Sequence, residues 1–180
     1  MMITEKAKLR NGKNVECLLP QYFVDSVELA KESSKLAQVE DNDCVVRAFM
    51  VALDITYDQA HAWVKKGLNR KSRKGTFMNA YSKNIIGKTK NGKKISFIGI
   101  HPSRAFMKHS FGSNKPLVNT KYKKPTGYTL KSFIENNPVG RFVLIVQDHA
   151  VAVVNGVLYG NSGENFCGLY RSVWFGFECK

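Results

Sequence analysis

The chain has 180 residues, 43% of them apolar, enough to bury a core of its own as a single domain over 1–180. That composition excludes a disordered chain, and no apolar stretch approaches the roughly 20 residues that a membrane helix needs. Net charge is +14 and unevenly placed: residues 59–134 hold 18 Lys and Arg and no carboxylate, leaving a net of −4 for the rest.

The first twenty residues are weakly patterned, with Val15–Leu19 as a short strand stopped by Pro20. Apolar residues at 23, 24, 27 and 36, with Ala30 between, predict an amphipathic helix over Phe23–Leu36. Residues 1–37 together read as an N-terminal extension. Gln38–Asp43 is a polar loop, and Cys44–Leu53 is apolar on nearly all sides, so it reads as a buried helix capped from Asp41–Asp43. Thr56 with Gln59 three residues on is a capping box, and a second helix follows it to about Gly67. A basic middle segment over 65–124 comes next. It holds an Asn91-Gly92 hairpin turn, a strand at Ile95–Ile100, and an irregular stretch over 101–127.

Thr129 caps a short helix through Phe133, stopped by Asn137-Pro138. The continuous apolar run Phe142–Val146 reads as a central strand. The stretch Asp148–Ser162 is a hairpin around Asn155-Gly156, and Leu169–Phe177 holds a last strand. The fold class is α+β: a buried helix packed on a C-terminal antiparallel sheet.

Cys44 opens its helix, where unpaired N–H groups and the helix dipole favour a thiolate, while Glu40, Asp41 and Asp43 oppose it. His149 opens the first arm of the hairpin and can take a thiol proton. Its orienting partner depends on the turn. A two-residue turn sets Ser162 opposite His149, and a three-residue loop sets Asn161 there. The longer loop is favoured, because an amide carbonyl can accept the other ring N–H. Gln38, six residues before Cys44, can curl back as an oxyanion donor. Arg47 reads as an anchor between the helix and a carboxylate or carbonyl. His61, His101 and His109 lack metal spacing, and cysteines 17, 44, 167 and 179 form no Cys-x-x-Cys pair, so neither a metal nor a cofactor is expected.

The order Gln38, Cys44, His149, Asn161, with Asp148-His149-Ala150-Val151-Ala152-Val153, resembles the papain-like cysteine peptidases. Asp43-Cys44-Val45-Val46-Arg47-Ala48, Tyr57 and Gly140-Arg141-Phe142 are similar to small phage-encoded members of that superfamily, over roughly 40–162. The sequence departs from the family where Val45 and Gly163 stand in place of Trp. The resemblance implies a papain-like fold with a catalytic N-terminal helix. It implies a thiol peptidase or isopeptidase with Cys44 as nucleophile, His149 as base, Asn161 as orienting residue and Gln38 at the oxyanion. It also implies a bacterial host cytoplasm.

The start of the chain shows no basic region followed by an apolar run, and the expected location is cytoplasmic, with no membrane partner. The basic segment predicts a partner held by Arg70, Lys71, Arg73, Lys74, Lys93 and Lys94. An acidic protein or peptide ranks first and nucleic acid close behind. The alternatives to a hydrolase are a nucleic-acid-binding protein on the same scaffold and an inactive papain-like fold that binds and inhibits a host protein.

Overall fold

The structure is a computed structural model that describes residues 3–8, 14–19, 23–76, 78–99, 129–161, 169 and 171–180. Strands β1 (Ile3–Lys8) and β2 (Asn14–Leu19) form a separate two-stranded antiparallel sheet; the sequence pattern gave the second and not the first. The main sheet has seven strands in the order β3-β8-β7-β6-β9-β5-β4. These are β3 (Phe23–Asp25), β4 (Thr89–Lys90), β5 (Lys93–Gly99), β6 (Arg141–Val146), β7 (His149–Val154), β8 (Val157–Gly160) and β9 (Phe175–Cys179). The stretch expected over 101–127 lies outside the described residues, as do Cys167 and residues 100–124 of the basic segment.

The sheet is mixed rather than antiparallel, because β3 runs parallel to β8 at one edge. This corrects the helix expected from Phe23. Phe23-Val24-Asp25 extends along β8, and helix α1 begins only at Ser26 (Ser26–Ser33), where the Asp25 carboxylate accepts from the N–H groups of Val27 and Glu28. Residues 23–37, read as extension, are thereby built into the domain: Ala30 and Ala37 are buried in its core. The last strand starts at Phe175, later than expected.

β6 is apolar from Phe142 to Val146 because both its faces are covered there. Val143 and Ile145 pack toward helices α2 (Cys44–Leu53) and α3 (Tyr57–Leu68). Phe142, Leu144 and Val146 pack toward helix α5 (Leu130–Asn136), where Phe133 meets Phe142 edge-on at 5.1 Å. A helical turn α4 (Met78–Tyr81) and a 3-10 turn (Ser82–Asn84) lead from α3 to β4. The capping boxes at Thr56/Gln59 and Thr129/Ser132 are both formed.

α2 crosses β7 where that strand offers only Ala150 and Ala152 on the facing side, so helix and strand can approach closely. The far end of α2 is tied down by side chains. Arg141 donates from Nε to the Ala52 carbonyl at 2.7 Å and from Nη2 to the Val51 carbonyl at 2.6 Å. Asn91 donates to the carbonyls of Leu53 and Asp54. These are the orphan acceptors of a helix C-terminus, and their partners lie on the sheet the helix covers.

At the sheet centre, a Cβ added at Gly176 would fall 2.6 Å from the Val143 carbonyl oxygen and 2.7 Å from Leu144 Cδ2. Chemical denaturation of Gly176→Ala should show a loss of about 1–3 kcal/mol from overpacking. Gly75→Ala, whose added Cβ meets nothing within 4 Å, should stay within about 0.5 kcal/mol of the parent.

Candidate active site

Asp43 stands at the N-cap of α2, but its carboxylate makes no capping bond. It is committed elsewhere: Oδ1 accepts from Arg47 Nε at 2.8 Å and Oδ2 from the Tyr57 hydroxyl at 2.8 Å. Arg47 Nη1 donates onward to Ser26 Oγ at 2.8 Å and to Asn161 Oδ1 at 2.6 Å, and Ser26 Oγ donates to the Gly160 carbonyl. Asp43, Arg47, Ser26 and Tyr57 are all buried. Four segments therefore meet on one ion pair: the starts of α1, α2 and α3, and the end of β8. Burial, with the Asp43 carboxylate beside it, pushes the Tyr57 phenol well above its usual range, so it stays a donor.

With Asp43 so engaged, no side chain caps the first turn of α2, and Cys44 occupies its first position. Cys44 and His149 line one cavity of about 610 Å³ with Asn42, Arg47, Asn161 and Trp174. Burial pushes the Cys44 thiol up. The backbone N–H of Ala150, directed at the sulfur, and the Arg47 guanidinium pull the other way, while Asp43 adds to the rise. His149 is lowered from 6.5 to about 3, by burial first and then by the positive charges of Arg171 and Arg47. Thiol and imidazole are therefore both neutral around pH 7. The pleat of β7 sets Ala150 and Ala152 on the α2 side and Val151 and Val153 on the α5 side. By the same alternation His149 belongs to the α5 side, so it shares space with Cys44 only at the end of the sheet, where the cavity opens.

Two expectations about the site are corrected. β7 and β8 pair Val154 with Val157 and Val153 with Leu158, so the Asn155-Gly156 turn has two residues, not three. Asn155 at φ 47° and Gly156 at φ 81° fit the left-handed turn that this connection demands. That register does not set Asn161 opposite His149, and Ser162, the alternative, lies outside the described residues. Asn161 does enter the cavity, but its carbonyl oxygen is held by Arg47. Gln38, in turn, is exposed and points away, its Nε2 donating to the Lys31 carbonyl at 3.2 Å. The reason is local. Ser34 Oγ accepts from the N–H groups of Leu36 and Ala37, and the turn buries Ala37 in the core, which leaves Gln38 facing solvent.

The expected partner-binding residues also divide. Arg70 is 3% exposed and donates from Nη2 to Glu40 Oε2 at 2.8 Å and to the Asp41 carbonyl at 2.9 Å, so it faces no partner. His61 Nε2 stands 3.4 Å from Glu40 Oε1 in the same cluster. Burial works against the Glu40 carboxylate, but the Arg73 N–H and the Arg70 guanidinium together hold it below its usual range. Arg73 is exposed and paired with Asp41. Lys71, Lys74 and Lys94 are exposed and Lys93 is half-buried. The clamp of Glu40 and Asp41 on Arg70 and Arg73 holds the loop before α2 against the loop whose Gly75 and Thr76 wall the cavity.

Arg47 acts as the anchor its sequence position suggested. The Asp43–Arg47 pair was legible in its i, i+4 spacing. Asn42 and Trp174 carry no motif that would have singled them out. Compared with known proteins, the chain matches no family model, no curated protein and no solved structure.

Breaking the Asp43–Arg47 pair leaves one charge buried alone. Asp43→Ala should therefore cost about 3–5 kcal/mol in denaturant titrations, against about 1 for Tyr57→Phe, which deletes a single hydroxyl. His149 adds a pH dependence with a defined sign. Between pH 6.5 and about 3 the unfolded chain holds its proton while the folded one does not, so stability falls on acidification through that window. The slope is at most about 1.4 kcal/mol per pH unit, and His149→Gln should remove that component from the pH–stability curve.

Proposed function

We propose that the protein is a papain-like cysteine hydrolase, phage-encoded and working in a host cytoplasm, that cleaves amide bonds of peptides or isopeptides at Cys44. The observation that carries this reading is the placement of Cys44. It is the first residue of a buried helix with no side-chain cap, it lines the same cavity as His149, and it has the Ala150 N–H aimed at its sulfur. In the reaction, the sulfur attacks the substrate carbonyl while the neutral imidazole takes the thiol proton. That proton then passes to the leaving amine, and a thioester remains on Cys44. Water, deprotonated by His149, hydrolyses the thioester and restores the thiol. The oxyanion takes its donors from the free N–H groups of the first turn of α2 in place of Gln38. Asn161 acts through Arg47, holding the guanidinium against the cavity wall, rather than by orienting His149.

A second reading is an inactive fold of the same kind that binds a host protein. The neutral thiol and imidazole, and the pleat that sends His149 toward the α5 side, favour it. A thiol-directed electrophilic peptide separates the two. In the hydrolase, mass spectrometry finds the adduct on Cys44 and not on Cys179, which is buried and pushed up to about 12, and His149→Ala abolishes peptide turnover. No adduct on Cys44, or labelling unchanged in His149→Ala with no turnover in either protein, supports the inactive fold. Because the imidazole stays neutral down to about pH 3, the kcat/KM profile of the hydrolase should show no acid limb near 6.5 over the range in which the protein remains folded.

A further inference from the structure

The lysines of the basic segment form a surface that the hydrolase reading does not use. α3 ends in Lys65 and Lys66, and the loop after it carries Lys71 and Lys74. The 3-10 turn adds Lys83, and the β4–β5 hairpin adds Lys88, Lys90 and Lys93, while Lys94 alternates onto the other side of the sheet. Direct contacts join these segments. Asn84 Nδ2 donates to the Gly67 carbonyl, Asn69 Nδ2 donates to the Tyr81 hydroxyl, and the Ile95 N–H donates to the Lys88 carbonyl. Among the described residues these lysines enter no ion pair. No carboxylate interrupts the chain from Gln59 to Ile134. Glu40 and Asp41, which reach this side from the loop before α2, are bound to Arg70 and Arg73.

Two features say what the surface is for. In the β4–β5 hairpin Lys90 pairs directly with Lys93. Like charges opposite one another on a strand pair destabilise it, and a bound polyanion relieves the repulsion. The face also lacks the anchors of a protein interface. The exposed large apolar residues among those described are Leu29, Val39, Val139 and Trp174, none of them on these segments. Protein interfaces are depleted in lysine and depend on buried aromatic, Met and Arg anchors. Dense lysine without apolar residues suits a repeating array of phosphates instead.

We infer that this face binds the phosphate backbone of nucleic acid without sequence preference. Among the described residues the arginines of these segments, Arg70 and Arg73, are engaged by Glu40 and Asp41, which leaves point charges that position and do not specify. This reverses the ranking expected from sequence, where an acidic protein came first. The face extends to Lys74, next in the chain to Gly75 on the cavity rim, so a bound strand passes beside the Cys44 cavity. Binding itself does not require Cys44 to be reactive.

The test is a titration of the full chain with labelled duplex DNA and single-stranded RNA between about 50 and about 200 mM salt. Binding should be steeply salt-dependent and should persist in Cys44→Ala. The quadruple variant Lys65→Glu, Lys74→Glu, Lys83→Glu, Lys88→Glu should lose about tenfold or more in affinity, and its salt slope should be shallower by about 3. The same four positions changed to Gln should lose less, and a matched circular dichroism spectrum shows that neither variant has unfolded. Lys31→Glu with Lys35→Glu, near the β3 edge of the sheet and remote from β4, should leave affinity within about twofold. Overturning results are wild-type affinity in the quadruple variant, an equal loss in the α1-side control, or binding of polyglutamate or anionic lipid vesicles as tight as that of nucleic acid.

Discussion

The ion pair between Asp43 and Arg47 is the constraint on which the rest of the site depends. A buried guanidinium is tolerable only with its charge matched and its N–H groups placed. Here the carboxylate one turn earlier matches the charge, and Ser26 and Asn161 take further donors. The arrangement fixes where α1 leaves β3, where α2 begins and where β8 ends. It also withdraws Asp43 from capping, so the first turn of α2 meets the cavity without an Asp43 cap, the Val45 N–H directed at the Cys44 sulfur. One charged pair thus organises three helix starts and leaves the thiol at the open end of a dipole.

The same guanidinium sets the electrostatics of the cavity. It lowers the cost of a thiolate on Cys44 and raises the cost of an imidazolium on His149. Burial exceeds the first effect and reinforces the second, which keeps both groups uncharged at rest. Charge separation in such a site belongs to the moment of reaction, when a bound carbonyl brings its own dipole to the helix start. The opposite end of α2 is held by Arg141 of β6 and Asn91 of the β4–β5 turn, so the helix that carries Cys44 is tied by side chains at both ends.

Much of this was legible in the sequence, and the failures have physical causes. Cys44–Leu53, the Thr56/Gln59 capping box, the Thr129 cap, the Phe142–Val146 strand and the Asn155-Gly156 turn were readable because each is dictated by local chemistry: apolar periodicity, a capping side chain, or a left-handed pair of residues. Phe23–Asp25 was misread because a three-residue edge strand has no period of its own, and its pairing with β8 lies more than a hundred residues away. The register beyond Asn155-Gly156 failed on a preference for a partner to His149, whereas the flanking strands alone decide the turn. Gln38 failed because spacing in sequence says nothing of a turn that Ser34 and the burial of Ala37 direct outward. Arg70 looked like surface charge until Glu40, thirty residues earlier, was seen to neutralise it. What the sequence does not carry is the distant partner: Asn161 and Ser26 for Arg47, and Glu40 for Arg70.

The parallel pairing of β3 with β8 has a consequence for how the chain comes into being. Residues 23–25 find their partners only at 158–160, and Arg47 finds Asn161. Contacts this far apart close late, because loop entropy must be overcome before they return anything. During synthesis at about 5–20 residues per second, the helices that carry Cys44 and Tyr57 emerge seconds before the hairpin that completes their surroundings. Until that hairpin arrives, the edge that β3 will occupy does not exist and the cavity has no second wall. The thiol is therefore enclosed late, only after residues 149–161 have left the ribosome and the hairpin has closed on α2.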